Sequence, residues 1–305
     1  METKKDYLYH FLAFLTSAIW GTTFVSTKVL INNGLSPVEI MFFRFVLAYI
    51  CIWFISSKKI WAANWKDELM LVGVGLSGGS LYFVAENIAL GITLASNVSL
   101  IICTAPIFTA MLLRLFYKKE NLRRNFVYGS VMALIGVGFV VFNGSFMLQI
   151  NPLGDMLSFS AALLWGIYSL LLKKLDNRYT VLFITRKVFA YGILTILPVF
   201  IFRPITWEPT VFLNPLVIGN LLFLGVIASM GGYIMWNVSV QKLGAIRSSN
   251  YLYLSPLVTL LTSAIVIDET ITSIALIGAT LILMGVYVAE KGFKFNFAKM
   301  QTDKI

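Results

Sequence analysis

Two charges stand where the chain is otherwise apolar: Arg44 in the run MFFRFVLAYI, and Glu86 in LYFVAENIAL. At the centre of a membrane-spanning helix a charge costs roughly 2.5–3.5 kcal/mol on insertion scales, so it must be paired, hydrated or held for a ligand. At a rise of about 1.5 Å per residue, Arg44 lies about 10 Å and Glu86 about 7 Å from the same end of their segments. Equal depth and opposite sign predict an Arg44–Glu86 pair. It is either a structural ion pair that keeps both charges insertable, or a cavity pair that recognises a charged substrate or exchanges a proton. Arg186 and Lys187 lie near the opposite end of their segment and are expected to snorkel to the interface.

Aromatic and small polar residues extend this set. Trp20 and Trp165 fall near the middle of their segments, away from the interfacial belts where Trp concentrates, and serve either as core packing or as a cavity wall. Helical spacing puts Tyr82 on the face of Glu86, and adds Ser99, Trp236 and Tyr253 from other segments. The candidate cavity set is therefore Trp20, Arg44, Tyr82, Glu86, Ser99, Trp165, Trp236 and Tyr253; the competing reading of these stripes is packing between helices. Pro106 and Pro256 each remove a backbone hydrogen bond and are expected to kink their helices, which would suit gating. Glu120 and Glu269 precede apolar runs and read as helix N-terminal caps.

Other chemistry is excluded by what the chain lacks. His10 is its only histidine, so no histidine-based metal site or catalytic triad can be assembled. No phosphate-cradling GxxxxGK[ST] loop is present, and no cofactor is expected. Cys51 and Cys103 fall inside apolar segments and read as small packing residues. The chain is not expected to be an enzyme.

The elements that must position these residues follow from composition. Of 305 residues 58% are apolar and 12% charged, with mean hydropathy +0.83, which argues against a water-soluble globule. Runs long enough to cross about 30 Å of hydrocarbon occur at 8–31, 37–56, 68–91, 94–116, 126–143, 153–172, 180–202, 215–238, 247–267 and 272–289. In a lipid bilayer these must be helices. The first run is too long for a cleavable signal peptide. The net charge of +10 gathers in alternate connections, at Lys58, Lys59, Lys118, Lys119, Arg123, Arg124, Lys173, Lys174 and Arg178, and in the tail. That is the positive-inside pattern, placing both termini in the cytoplasm of a cell-membrane protein rather than marking a nucleic-acid partner.

The chain also repeats itself. Asn87 to Pro106 and Asn237 to Pro256 span equal lengths, with Ala95 matched by Ala245. Trp20-Gly21 match Trp165-Gly166, Arg44 in RFVLAY matches Arg186 in RKVFAY, and Gly75 matches Gly225. Gly129 and Gly136 match Gly278 and Gly285, with Glu120 and Glu269 at equal distances before them. Five segments per copy is an odd number, so the second copy enters the membrane from the opposite side. The expected fold is all-α and integral to the membrane: ten transmembrane helices as two inverted five-helix repeats, residues 1–145 and 146–305.

These motifs, covering roughly residues 8–290, resemble the EamA-type branch of the drug/metabolite transporter superfamily. The resemblance implies a secondary transporter exporting or exchanging small amino-acid-like or amphipathic metabolites, with the bilayer as its environment and a proton or counter-substrate as a coupling partner. The alternative is a lipid or lipid-carrier flippase of similar architecture.

Overall fold

A computed structural model describes residues 4–56, 59–92, 95–117, 124–142, 151–175, 178–202, 209–266 and 271–291. The side chains of Lys28 and Ser99 and the whole of Glu120 and Glu269 lie outside the described set. Helix α1 is Lys4–Asn32 and α2 is Pro37–Ile55. Helix α3 runs through Trp65–Gly75, a wide π-turn Leu76–Ser80 and Leu81–Ile92. Helices α4 (Ala95–Ile102) and α5 (Ala105–Phe116) follow, then α6 (Arg124–Phe142), α7 (Pro152–Leu175) and α8 (Val181–Ile196, with a further turn Val199–Phe202). Helix α9 runs through Pro215–Leu222, a π stretch Phe223–Gly231 and Gly232–Leu243. Helix α10 (Ala245–Ser249) passes through the 3-10 turn Asn250–Leu254 into α11 (Ser255–Val266), and α12 is Ser273–Lys291.

Among the described residues eight helices are long and apolar enough to span a bilayer, and Leu100–Phe116 is a shorter apolar stretch. Of the ten spans expected from hydropathy, the fourth and ninth are each broken into two segments. Pro106 lies in the first turn of α5 behind the non-helical Cys103-Thr104 step, and Pro256 in the first turn of α11 behind the 3-10 turn. Proline lacks the amide hydrogen needed mid-helix but suits a first turn, so each begins a new segment rather than bending an old one.

Local sequence fixes the starts and corners. Ser36 and Glu39 form a reciprocal capping box at α2, behind Gly34 at φ +92. Asn64 caps α3 through the Asp67 amide, and Thr180 and Asn214 cap α8 and α9. Gly244, at φ +88, makes the abrupt corner between α9 and α10, a conformation other residues resist.

Helices α6 and α12 pack backbone to backbone. A Cβ on Gly136 would stand 2.6 Å from the Gly278 carbonyl, and one on Gly278 would stand 2.6 Å from the Gly136 carbonyl. Gly129 and Gly285 repeat the reciprocity at 2.5 and 2.6 Å. The four matched glycines are thus a helix seam of the small-residue kind.

The face carrying the basic connections is tied by charge. Asp67 accepts from Arg178 and from the Tyr179 hydroxyl, each at 2.8 Å. Glu68 accepts from Lys187 and Tyr191, and Arg186 donates to the Lys59 carbonyl. Arg186 and Lys187 are 3% and 5% exposed, so they do not snorkel; carboxylate and carbonyl partners hold them inside. The far face is tied by neutral groups, with Asn214 donating to Asn33 at 3.0 Å and Ser26 to Asn220 at 2.7 Å.

Candidate functional site: a charged cavity over an aromatic floor

Helices α1, α2, α3, α7 and α9 converge on a cavity of about 110 Å³, completed by the breaks at Cys103 and Ser255-Pro256. Five of the eight candidate cavity residues line it: Trp20, Arg44, Tyr82, Glu86 and Trp165. Pro256 lines it as well, and Pro106 does not. The side chain of Ser99 lies outside the described set.

Arg44 and Glu86 share this cavity without touching. Arg44 Nε donates to Ser229 Oγ at 2.8 Å, and its guanidinium lies 4.9 Å from the centre of the Phe83 ring. Glu86 Oε1 accepts from the Tyr82 hydroxyl at 3.2 Å. No hydrogen bond or ion pair joins the two charges, which corrects the expected direct pair. Each is held by a neutral neighbour instead, and the terminal nitrogens of Arg44 and Oε2 of Glu86 stay open to the cavity. The two charges are thereby left available to something small that enters.

Trp236 and Tyr253, expected in the cavity wall, are fully buried. Trp236 follows the π stretch of α9, which turns it under the cavity, with ring centres 5.3 Å from Trp20 and 5.8 Å from Trp165. Tyr253 sits in the tight 3-10 turn and packs with Cys103, Ala133 and Ile282. Trp20 and Trp165 meet edge to face at 5.3 Å. The Trp20 indole donates to the Ala228 carbonyl at 3.0 Å, whereas the Trp165 indole has no partner.

Beneath the cavity lies a floor of Trp165, Tyr168, Tyr233 and Trp236. Tyr233 escaped the sequence reading, although it lines the cavity and is almost fully buried. Its hydroxyl donates to the Gly78 carbonyl at 2.5 Å, inside the π-turn of α3. The one available signal was its alignment with Phe83 at the repeat offset. Tyr168 donates to Asn237 at 2.7 Å, and Asn237 to Thr185 at 2.9 Å. On the other side of the floor, towards the basic face, Lys173, Ile184, Asn237, Gln241 and Ala245 border a second cavity of about 140 Å³.

Closure is one-sided. Among the described residues α10 packs on α5 towards the basic face, while α4 and α11, their counterparts towards the far face, make little or no contact. Among the described residues no group of three or more His, Cys, Asp or Glu could hold a metal ion.

A family model described as the EamA-like transporter family matches residues 8–142 and 152–290. An uncharacterised transporter of Archaeoglobus fulgidus is 28% identical over 283 residues, covering 92% of this chain and 96% of the relative. A probable amino-acid metabolite efflux pump of Escherichia coli (strain K12) is 26% identical, covering 94% and 96%. A probable terminal-alkyne amino-acid exporter of Streptantibioticus cattleyicolor is 25% identical, covering 91% of each. A protein crystal structure 18% identical superposes with a TM-score of 0.74 over 94% of this chain and 97% of its own, so the fold is shared.

Proposed function

The chain belongs to the EamA-like transporter family, and from that membership and the cavity we propose that it exports or exchanges small amphipathic, amino-acid-like metabolites by alternating access. It is a multi-pass membrane protein of a transporter family, and its relatives are named transporters, efflux pumps and exporters. The observation that carries the proposal is a cavity with a free guanidinium face, a free carboxylate oxygen and two indole walls, closed on one side only. A carboxylate on the substrate would meet Arg44 with charge-assisted hydrogen bonds. Its polar or ammonium end would meet Glu86 and Tyr82, and its apolar part Trp20 and Trp165.

In this reading residues 1–145 and 146–305 are inverted five-helix repeats, and transport exchanges their conformations about the shared site. Four features support it: the family model matches twice, the π-turns recur in α3 and α9, both proline segments are broken, and the glycine seam is reciprocal. The basic face is the cytoplasmic one by the positive-inside rule, in the cell (inner) membrane, so the cavity described above faces outward. A proton or a counter-substrate drives the cycle.

The test is metabolite profiling of a deletion strain beside strains overproducing the wild type and Arg44→Ala. Wild type should deplete a small zwitterionic compound from cells, and Arg44→Ala should not. Flipping of headgroup-labelled lipid by the protein in liposomes, with no metabolite depleted, would replace this reading by the flippase.

A further inference from the structure

Matched residues of the two repeats occupy opposite environments. The offset that aligns Asn87 with Asn237 also aligns Glu86 with Trp236 and Phe83 with Tyr233. On the closed side Trp236 is 0% exposed, wedged against Trp20 and Trp165. On the open side Glu86 lines the cavity with one oxygen free. Resting on the alternating-access reading, exchange of conformations between inverted repeats carries each residue into the surroundings its partner has now. Glu86 must then enter a dry wedge between indoles, the place Trp236 holds in this state.

An ionised carboxylate cannot be left there unpaired, because losing water without a compensating partner costs several kcal/mol. The groups that face it do not supply that partner. Tyr82 on its own helix donates one hydrogen bond. Arg44 from α2 matches Arg186, whose guanidinium donates to the Lys59 carbonyl and lies against Trp53 and Phe183 rather than beside Trp236, so the same exchange draws Arg44 away from Glu86. Cys103 beyond α4 and Tyr233 from α9 are neutral at physiological pH, and α7 presents the uncharged Trp165. Asp155 lies ten residues before Trp165 on α7, about 15 Å along the helix, and as an anion would not help. We infer that Glu86 is the coupling residue of this transporter: closure of the far side without substrate requires its carboxylate to take a proton. The carboxyl O–H bond forms as an O–H bond of hydronium in the far-side compartment breaks to leave water. It breaks, returning the proton to water on the basic side, once that side has opened.

Cys103, which lines the same cavity, is a native reporter. In a Cys51→Ser background, the rate of its modification by a small impermeant methanethiosulfonate added from the far side is measured in right-side-out vesicles between pH 5.5 and 8.5. Glu86→Gln, Glu86→Asp, Glu86→Trp and Tyr233→Phe are compared with the wild type. The ratio of wild type to Glu86→Gln should be high at alkaline pH and fall on acidification, by at most about tenfold per pH unit for one linked proton. A direct effect of the nearby carboxylate on the thiol has the opposite sign, since an anion disfavours the thiolate at alkaline pH. Glu86→Asp should keep the pH dependence, which guards against a misfolded Gln variant, and Glu86→Trp should react slowest throughout. Parallel curves for wild type and Glu86→Gln, with Tyr233→Phe still changing the rate, would overturn the role of Glu86 alone. One rate shared by every variant would overturn alternating access as well.

Discussion

The hydroxyl of Tyr233 reaches across the floor of the cavity and donates to the main-chain carbonyl of Gly78 at 2.5 Å. The bond ties α9 to the π-turn of α3, where the backbone at Gly79 departs from helical geometry. Its counterpart at the repeat offset cannot form, because position 83 is Phe. In the proposed alternating-access cycle the clasp therefore works in one direction only, favouring the state with the basic side shut.

Tyr233→Phe should weaken that preference. Losing one buried hydrogen bond is worth about 1 kcal/mol, so the far-open population should fall relative to the far-closed one by about fivefold. Far-side modification of Cys103 reads the change directly; an unaltered rate would show that the bond is present equally in both states.

Gly136→Val and Gly138→Ala make a matched pair on one helix. A side chain at Gly136 collides with the Gly278 carbonyl and Ile282, whereas one at Gly138 meets nothing within 4 Å. The first should cost about 1–3 kcal/mol through overpacking; the second should gain up to about 1 kcal/mol of helix propensity. Thermal midpoints in detergent, one lowered and the other unchanged or raised, are the expected result.

Arg44→Lys should be nearly as damaging to efflux as Arg44→Ala. Lysine keeps the charge but lacks Nε for Ser229 and the planar face for Phe83. A charge-assisted hydrogen bond is worth about 1.5–3 kcal/mol, so efflux at limiting substrate should drop by about tenfold or more. Wild-type efflux from the Lys variant would make Arg44 a point charge and nothing further.

Sidedness is checked with two cysteines. An impermeant maleimide added to intact cells should label Ser145→Cys and spare Asn121→Cys. The reverse pattern would turn the assigned faces over.

Much of this was legible because membrane burial punishes irregularity. Arg44 and Glu86 announced a shared polar site by being charged in apolar runs, and Trp20 and Trp165 announced an interior role by standing mid-run, away from the interfacial belts. The link between Arg44 and Glu86 misled, since equal depth says nothing of azimuth around the helix axis. Azimuth is also what hid Tyr233 and misplaced Trp236 and Tyr253. A π stretch or a 3-10 turn changes the number of residues per turn, so a stripe drawn at 3.6 residues loses its face after Leu76, Phe223 or Asn250. Hydropathy does not register such turns, because the glycines and serines that permit them also occur in regular helices.

The seam between α6 and α12 has a further consequence, in time rather than space. Gly129 and Gly285 are neighbours in the finished protein but 156 residues apart along the chain. At about 5–20 residues per second, a ribosome needs roughly 8–30 s to deliver the second after the first. Throughout that interval the notched face of α6 lies in lipid without its mate, ready to accept the same face of another nascent chain. The last helix is thus a chaperone of the first half, and a chain truncated after residue 266 should betray its absence by cross-linking to itself through a cysteine at Ala133.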